Sequence, residues 1–179
     1  MPDSGNDLAP KPKRPPNVDI SSIGRIYREF EELFLAEKQS LILSPCGHKI
    51  YCFEHHFFHM AGVLVEGVEQ LSMPKERATL TSTFDGLAHY ELRDKGSRAK
   101  HLGSARQTLE RPDEVWADNP YVQSAKWVYL KEYDSQPYGF SVALVGEWQS
   151  NSIIIVPFSS FPVERRNVKR WRNGRQIFP

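Results

Sequence analysis

The sequence predicts an α+β domain, and three observations carry that assignment. Apolar and aromatic residues recur at helical spacing near the N-terminus. Three strand-like runs joined by short turn-rich links fill the C-terminal half. The chain has 179 residues, 40% of them hydrophobic and 25% charged, which suits one globular body. Helical signals first and successive antiparallel strands after define the α+β class.

Residues 1–19 read as a disordered tail. They hold Pro2, Pro10, Pro12, Pro15 and Pro16 with Lys11, Lys13 and Arg14, and offer almost nothing to bury. A plain solvated tail and a basic arm touching nucleic acid are the two readings of that composition. Residues 20–179 form the single folded domain. Ser21 and Ser22 are N-cap candidates, and Ile23, Ile26, Tyr27, Phe30, Phe34 and Leu35 make one apolar stripe opposite Glu29, Glu31 and Glu32. A core-facing amphipathic helix follows.

Leu41-Ile42-Leu43 and Lys49-Ile50-Tyr51-Cys52-Phe53 flank a Pro- and Gly-containing loop and predict a hairpin. A second helix is expected from about residue 54 through 69. Residues 104–116 suggest a short helix broken by Pro112, with Leu109 and Trp116 facing inward. Residues 125–133, 139–147 and 151–158 are the strand-like runs. Their short connections make them antiparallel neighbours. Residues 165–172 read as a basic helix and 176–178 as an edge strand.

Composition excludes several classes. Lys and Arg number 23 against 22 acids, so any nucleic-acid case rests on local clusters. Residues 152–158, the longest apolar run, are too few to span a bilayer. Residues 1–16 lack the apolar core of a secretory signal, so a cytoplasmic protein without membrane partners is expected. Two cysteines exclude a disulfide scaffold. The absence of GxGxxG, GxxxxGK[ST], HExxH and GxSxG patterns disfavours nucleotide-binding, zinc-protease and serine-hydrolase chemistry.

Two stretches carry a resemblance. One is Phe57-Phe58-His59-Met60-Ala61-Gly62. The other combines Leu109, the run Glu110-Arg111-Pro112-Asp113-Glu114-Val115-Trp116, a strand with Lys131, the strand end Phe158-Ser159-Ser160-Phe161-Pro162, and the basic terminus. Over residues 21–179 the chain resembles the phage branch of the BECR nuclease superfamily, named for barnase, EndoU, colicin nucleases and RelE. Such families often carry Thr where this sequence has Ser159 and Ser160, and the hydroxyl is kept. The resemblance implies one or two N-terminal helices on a four-stranded antiparallel sheet. It implies a cofactor-free, metal-independent endoribonuclease of the phage or mobile-element toxin or effector type, with RNA as substrate and an inhibitor or immunity protein as partner.

Metal-free RNA cleavage needs a base for the ribose 2′-OH, an acid for the leaving 5′-oxygen and donors for the phosphate charge. His101 lies in the basic loop Arg98-Ala99-Lys100-His101-Leu102-Gly103-Ser104 before a helix, where anions are favoured. It is either the acid or base of a phosphate pocket or an exposed loop histidine. Lys131 shares a strand face with Trp127, Tyr129 and Tyr133, a face suited to base stacking and phosphate contact or simply to snorkelling side chains. The expected catalytic set is His101, Lys131, Ser159, Ser160 and Arg170. The expected nucleic-acid contacts are Arg98, Lys100, Tyr129, Arg166 and Lys169. Residues 161–179 hold six basic residues against Glu164 alone, which is the best support in the composition for a nucleic-acid partner.

His59 reads as an anchor between helix and sheet rather than a catalytic group. A competing reading is a non-catalytic nucleic-acid- or protein-binding module stabilised by zinc. Cys46, His48, Cys52, His55, His56 and His59 fall within 14 residues, and Cys46, Cys52, His55 and His59 are its ligand candidates.

Overall fold

The structure is a computed structural model that describes residues 9–20, 39–53, 60, 63–65, 77–80, 90–93, 98–148 and 151–179. Its framework is a mixed seven-stranded sheet. The strands are β1 (Gln39–Leu43), β2 (Lys49–Phe53), β6 (Glu114–Ala117), β7 (Trp127–Glu132), β8 (Phe140–Trp148), β9 (Asn151–Val163) and β10 (Arg175–Phe178), in spatial order β1-β2-β9-β8-β7-β6-β10. All neighbours are antiparallel except β2 and β9, which pair in parallel at Ile50 and Ile155. A second antiparallel sheet holds β3 (Val63–Val65), β5 (Tyr90–Arg93) and β4 (Arg77–Leu80), in that order. The α+β class holds, but the sheet is not the expected four-stranded one. Strands β9, β8, β7 and β6 form an antiparallel centre, which the β1–β2 hairpin and β10 extend on either side.

One α-helix is present among the described elements, α1 (Leu102–Glu110), led in by a 3-10 turn over Ala99–His101. It begins two residues earlier than the sequence suggests and ends before Pro112. A residue preceding proline is pushed out of the helical region, and Arg111 sits at φ −138° and ψ 58° just before it. Beyond that break, Val115 and Trp116 join β6, so Trp116 lies in a strand rather than in a helix. The helix expected over 23–35 lies outside the described residues. The helix expected through residue 69 gives way to β3 at Val63–Val65, since a short apolar run rich in valine serves a strand equally well. The basic segment 165–172 forms a 3-10 helix over Arg165–Arg170.

Period-two alternation along β7 divides the core. Trp127 and Tyr129 face Leu102, Ala105 and Leu109, which recur along α1 at i, i+3 and i+7. Val128 and Leu130 face the other way with Phe140, Val142, Leu144 and Val168 of the 3-10 helix. Both faces of the central strands are therefore covered. Strand β9 continues past residue 158 to Val163, opposite Phe140, so Ser159 and Ser160 lie inside a strand. Pro157 falls where the β8–β9 register shifts, a place that tolerates a missing N–H.

Residues 9–20, expected as part of the tail, run across the domain. Val18 is buried in the core beside α1, and its N–H donates to the Lys100 carbonyl at 2.9 Å. The Asp134 N–H donates to the Pro12 carbonyl at 3.0 Å. Closely spaced prolines stiffen this stretch, so less entropy is lost on docking than for an ordinary tail.

Candidate nucleic-acid site

The basic loop before α1 is the first component. Arg98 precedes the 3-10 turn, and His101 occupies the N-cap position of α1 with no side-chain cap bond. Arg98 Nη1 donates to Ser159 Oγ at 3.3 Å, which ties this loop to β9. His101, Arg98, Lys100 and Ser159, four of the residues singled out from the sequence, thus gather around one end of α1.

Arg14 is the second component, which the sequence placed in a tail read as either plainly solvated or a basic arm touching nucleic acid. Arg14 Nη2 donates to the carbonyls of Tyr138 at 2.8 Å and Phe140 at 2.7 Å. The guanidinium lies 5.0 Å from the centre of the Tyr133 ring. Tyr133 Oη donates to Gln107 Oε1 at 3.0 Å, and the His101 and Tyr138 rings stand 6.3 Å apart. Pro15 crosses directly over Gly103, where an added Cβ would meet Pro15 Cβ at 2.9 Å. The only signal in the sequence was one arginine among stiff prolines.

Burial, and then the positive charges of Arg14 and Lys100, lower the His101 imidazole to about 4. The ring is therefore neutral at physiological pH. Burial pushes the Tyr133 phenol up to about 12. Four polar atoms here are buried without hydrogen-bond partners: Arg14 Nε and Nη1, His101 Nδ1 and Ser104 Oγ.

Other expected residues lie elsewhere. Lys131 is 8% exposed, and its Nζ donates to the Arg111 carbonyl at 2.7 Å, at the C-terminal end of α1. His101 caps the opposite end of that nine-residue helix, about 14 Å away at 1.5 Å per residue. Tyr129 is fully buried, so its ring is not open to a base. Ser160 is buried opposite Ala143. Arg166, Lys169 and Arg170 are exposed on the 3-10 helix, whose Val168 packs on the sheet face opposite α1. Arg166 pairs with Glu164, and Arg170 leans on the Trp171 ring. The structure brings neither Lys131 nor Arg170 to His101.

A second polar cluster forms where the β1–β2 turn meets β7. Cys46 Sγ lies 3.1 Å from Ser44 Oγ, 3.3 Å from His48 Nδ1 and 3.3 Å from Tyr129 Oη, and His48 Nδ1 is 2.5 Å from Tyr129 Oη. Burial alone would raise the Cys46 thiol, but contacts with His48, Ser44 and Tyr129 outweigh it and bring the thiol down to about 6. Burial pushes Cys52 up to about 12. No group of three His, Cys, Asp or Glu side chains converges as a metal site among the described residues. His55 and His59, the other zinc candidates, lie outside them, as does His56.

A family model described as phage-Barnase-EndoU-ColicinE5/D-RelE like nuclease 2 matches residues 70–179, which include the His101 loop, Tyr133 and Ser159. Neither the curated proteins nor the solved structures give a match. No helix among the described residues is long and apolar enough to cross a membrane.

Proposed function

Because the chain belongs to the phage-Barnase-EndoU-ColicinE5/D-RelE like nuclease 2 family, we propose that it is a metal-independent endoribonuclease centred on His101. The family makes the substrate a nucleic acid. The observation that carries the finer reading is the position of His101, a half-buried neutral imidazole between two cations at a helix N-terminus. A neutral imidazole can take the proton of a ribose 2′-OH. The 2′-oxygen then attacks phosphorus, the bond to the 5′-oxygen breaks, and the leaving oxygen takes up a proton from water. The products are a 2′,3′-cyclic phosphate and a 5′-hydroxyl.

The low proton affinity of free His101 has a purpose in this scheme. Burial first, and then Arg14 and Lys100, depress it, and a bound phosphate offsets the part due to their charge. The imidazole then becomes a competent base only when the scissile group is in place, since general-base efficiency peaks when the pKa approaches the working pH. Lys100, and Ser159 held by Arg98, supply phosphate contacts. Lys131 serves the helix end instead. A toxin or effector role with a protein inhibitor fits the family and forms part of this proposal.

The test is cleavage of RNA in the presence of EDTA, with the ends identified by mass. Cyclic phosphate ends and no cleavage of the 2′-deoxy analogue are expected. His101→Ala should lose about 10²–10⁴ in rate. Cleavage that stops with EDTA, or proceeds on the deoxy analogue, would overturn the reading. Binding without turnover would leave a non-catalytic module.

A further inference from the structure

The orphaned polar atoms around His101 come from two stretches far apart in the chain, residues 101–104 at the start of α1 and Arg14. Ser104 sits in the first turn of α1 and is almost fully buried; its hydroxyl lies near the Tyr133 phenol but makes no hydrogen bond of good geometry. Arg14 comes from the N-terminal segment, outside residues 70–179, and has two buried nitrogens without partners. Buried donors in proteins are nearly always satisfied, and buried cations are nearly always paired. The part-buried Arg106 and Arg165 follow that rule, facing Glu110 and Glu132. Arg14 has no carboxylate partner among the described residues, and neither has Lys100 close by. Cationic donors without a carboxylate partner, beside a helix N-terminus and a buried hydroxyl, make an anion-binding set.

We propose that Arg14, carried in by residues 9–20, completes with Ser104 and His101 an anion site that binds one phosphodiester group of a nucleic-acid strand. This deepens the nuclease reading and rests on it for the choice of nucleic acid. The guanidinium is already aimed: its Nη2 is anchored on the Tyr138 and Phe140 carbonyls and its plane lies against Tyr133, which leaves Nε and Nη1 for the ligand. Val18 on one side of Arg14 and the Pro12 carbonyl and Lys11 on the other hold the segment in place.

The experiment uses the full chain and an RNA trinucleotide with 2′-O-methyl groups, which cannot be cleaved through the 2′-oxygen. Affinity is measured by calorimetry, and the His101 ring is followed by NMR through a pH titration. Sodium sulfate against sodium chloride at equal ionic strength is the second arm. Wild type should bind the trinucleotide, and Arg14→Ala should weaken it about tenfold or more, as expected for losing a charge-assisted hydrogen bond. Arg14→Lys should fall between them, because lysine keeps the charge but loses the fork. Sulfate, unlike chloride, should move the His101 midpoint upward.

Equal affinity in wild type and Arg14→Ala would overturn the proposal, and so would a His101 midpoint indifferent to sulfate. Sulfate binding without trinucleotide binding would overturn the assignment to nucleic acid. If Arg14→Ala fails to fold, the lysine variant and the wild-type titration still decide. Trinucleotide binding through Arg14 without cleavage of ordinary RNA would sink the nuclease reading and leave the anion site standing. Cleavage unaffected in Arg14→Ala would do the reverse.

Discussion

Cys46 and Cys52 are six residues apart in one hairpin, yet their chemistry differs because their neighbours differ. Cys46 shares an imidazole, a phenol and a hydroxyl, whereas Cys52 is buried among apolar side chains. The thiolate is the nucleophile, so reactivity follows the fraction deprotonated. Alkylation of Cys46 by iodoacetamide should rise with pH around a midpoint near 6, and His48→Ala should move that midpoint upward. Cys52 should stay unlabelled in the folded protein across the same range. Peptide mapping after timed labelling checks both. Lys131 poses a different residue-scale question. Its ammonium satisfies the Arg111 carbonyl where α1 ends. Lys131→Met should therefore lower stability by about 1–3 kcal/mol, the range for losing a charge-assisted hydrogen bond. Urea unfolding compared with cleavage rate separates that outcome from a direct catalytic loss.

Two glycines set how elements meet. Gly174 joins the 3-10 helix to β10 at φ +96°, and an added Cβ would fall 2.2 Å from the Ala117 carbonyl oxygen. That oxygen belongs to β6, the strand on which β10 docks. Gly174→Ala should destabilise by about 2 kcal/mol or more, from the left-handed backbone and the clash together, with β10 the first element to fray. Amide exchange over Arg175–Phe178 would show it. Gly139 admits Arg165 in a similar way. The Arg165 side chain lies where a Cβ would stand, donates to the Tyr133 carbonyl at 2.6 Å and pairs with Glu132. This arginine links the start of the basic 3-10 helix to the β7–β8 turn, the same turn whose carbonyls hold Arg14.

At the scale of the whole molecule, charge is distributed less simply than residue counts suggest. Among the six basic residues after position 160, Arg165, Arg166, Arg172 and Arg175 face Glu132, Glu164, Glu114 and Asp118. Lys169 and Arg170 have no carboxylate partner among the described residues. Neutralising those two should weaken nucleic-acid binding and flatten its salt dependence, since each phosphate contact releases counterions. Replacing Arg172 should cost stability instead, by exposing Glu114 unpaired. Binding isotherms at several salt concentrations distinguish the cases. The molecule should also respond to acid through His101. Its folded pKa lies below the ordinary histidine value, so between about pH 6.5 and about 4 the unfolded chain binds a proton that the folded chain refuses. Stability should therefore fall as pH drops through that window, and His101→Asn should flatten the fall in thermal melts.

The sequence by itself determined whatever depends on local pattern. Period-two alternation placed Trp127 and Tyr129 on one face of β7 and Val128 and Leu130 on the other. Turn residues marked the β1–β2 hairpin, Pro112 ended the helix, and quoted residues such as Lys131 and Ser159-Ser160 identified the nuclease branch whose family model matches residues 70–179. Tertiary structure decided what depends on neighbours distant in the chain. The parallel pairing of β2 with β9 joins segments about a hundred residues apart, and no local propensity encodes such a contact. The same holds for the role of Lys131, which the carbonyl at a helix end determines. It holds for Arg14 as well: an arginine among prolines reads as solvent-exposed until Tyr133 and the Tyr138 and Phe140 carbonyls are found beneath it. Local sequence fixes which face a side chain takes, because backbone geometry sets that alternation. What stands opposite that face is set by chain segments whose approach only the folded packing reveals.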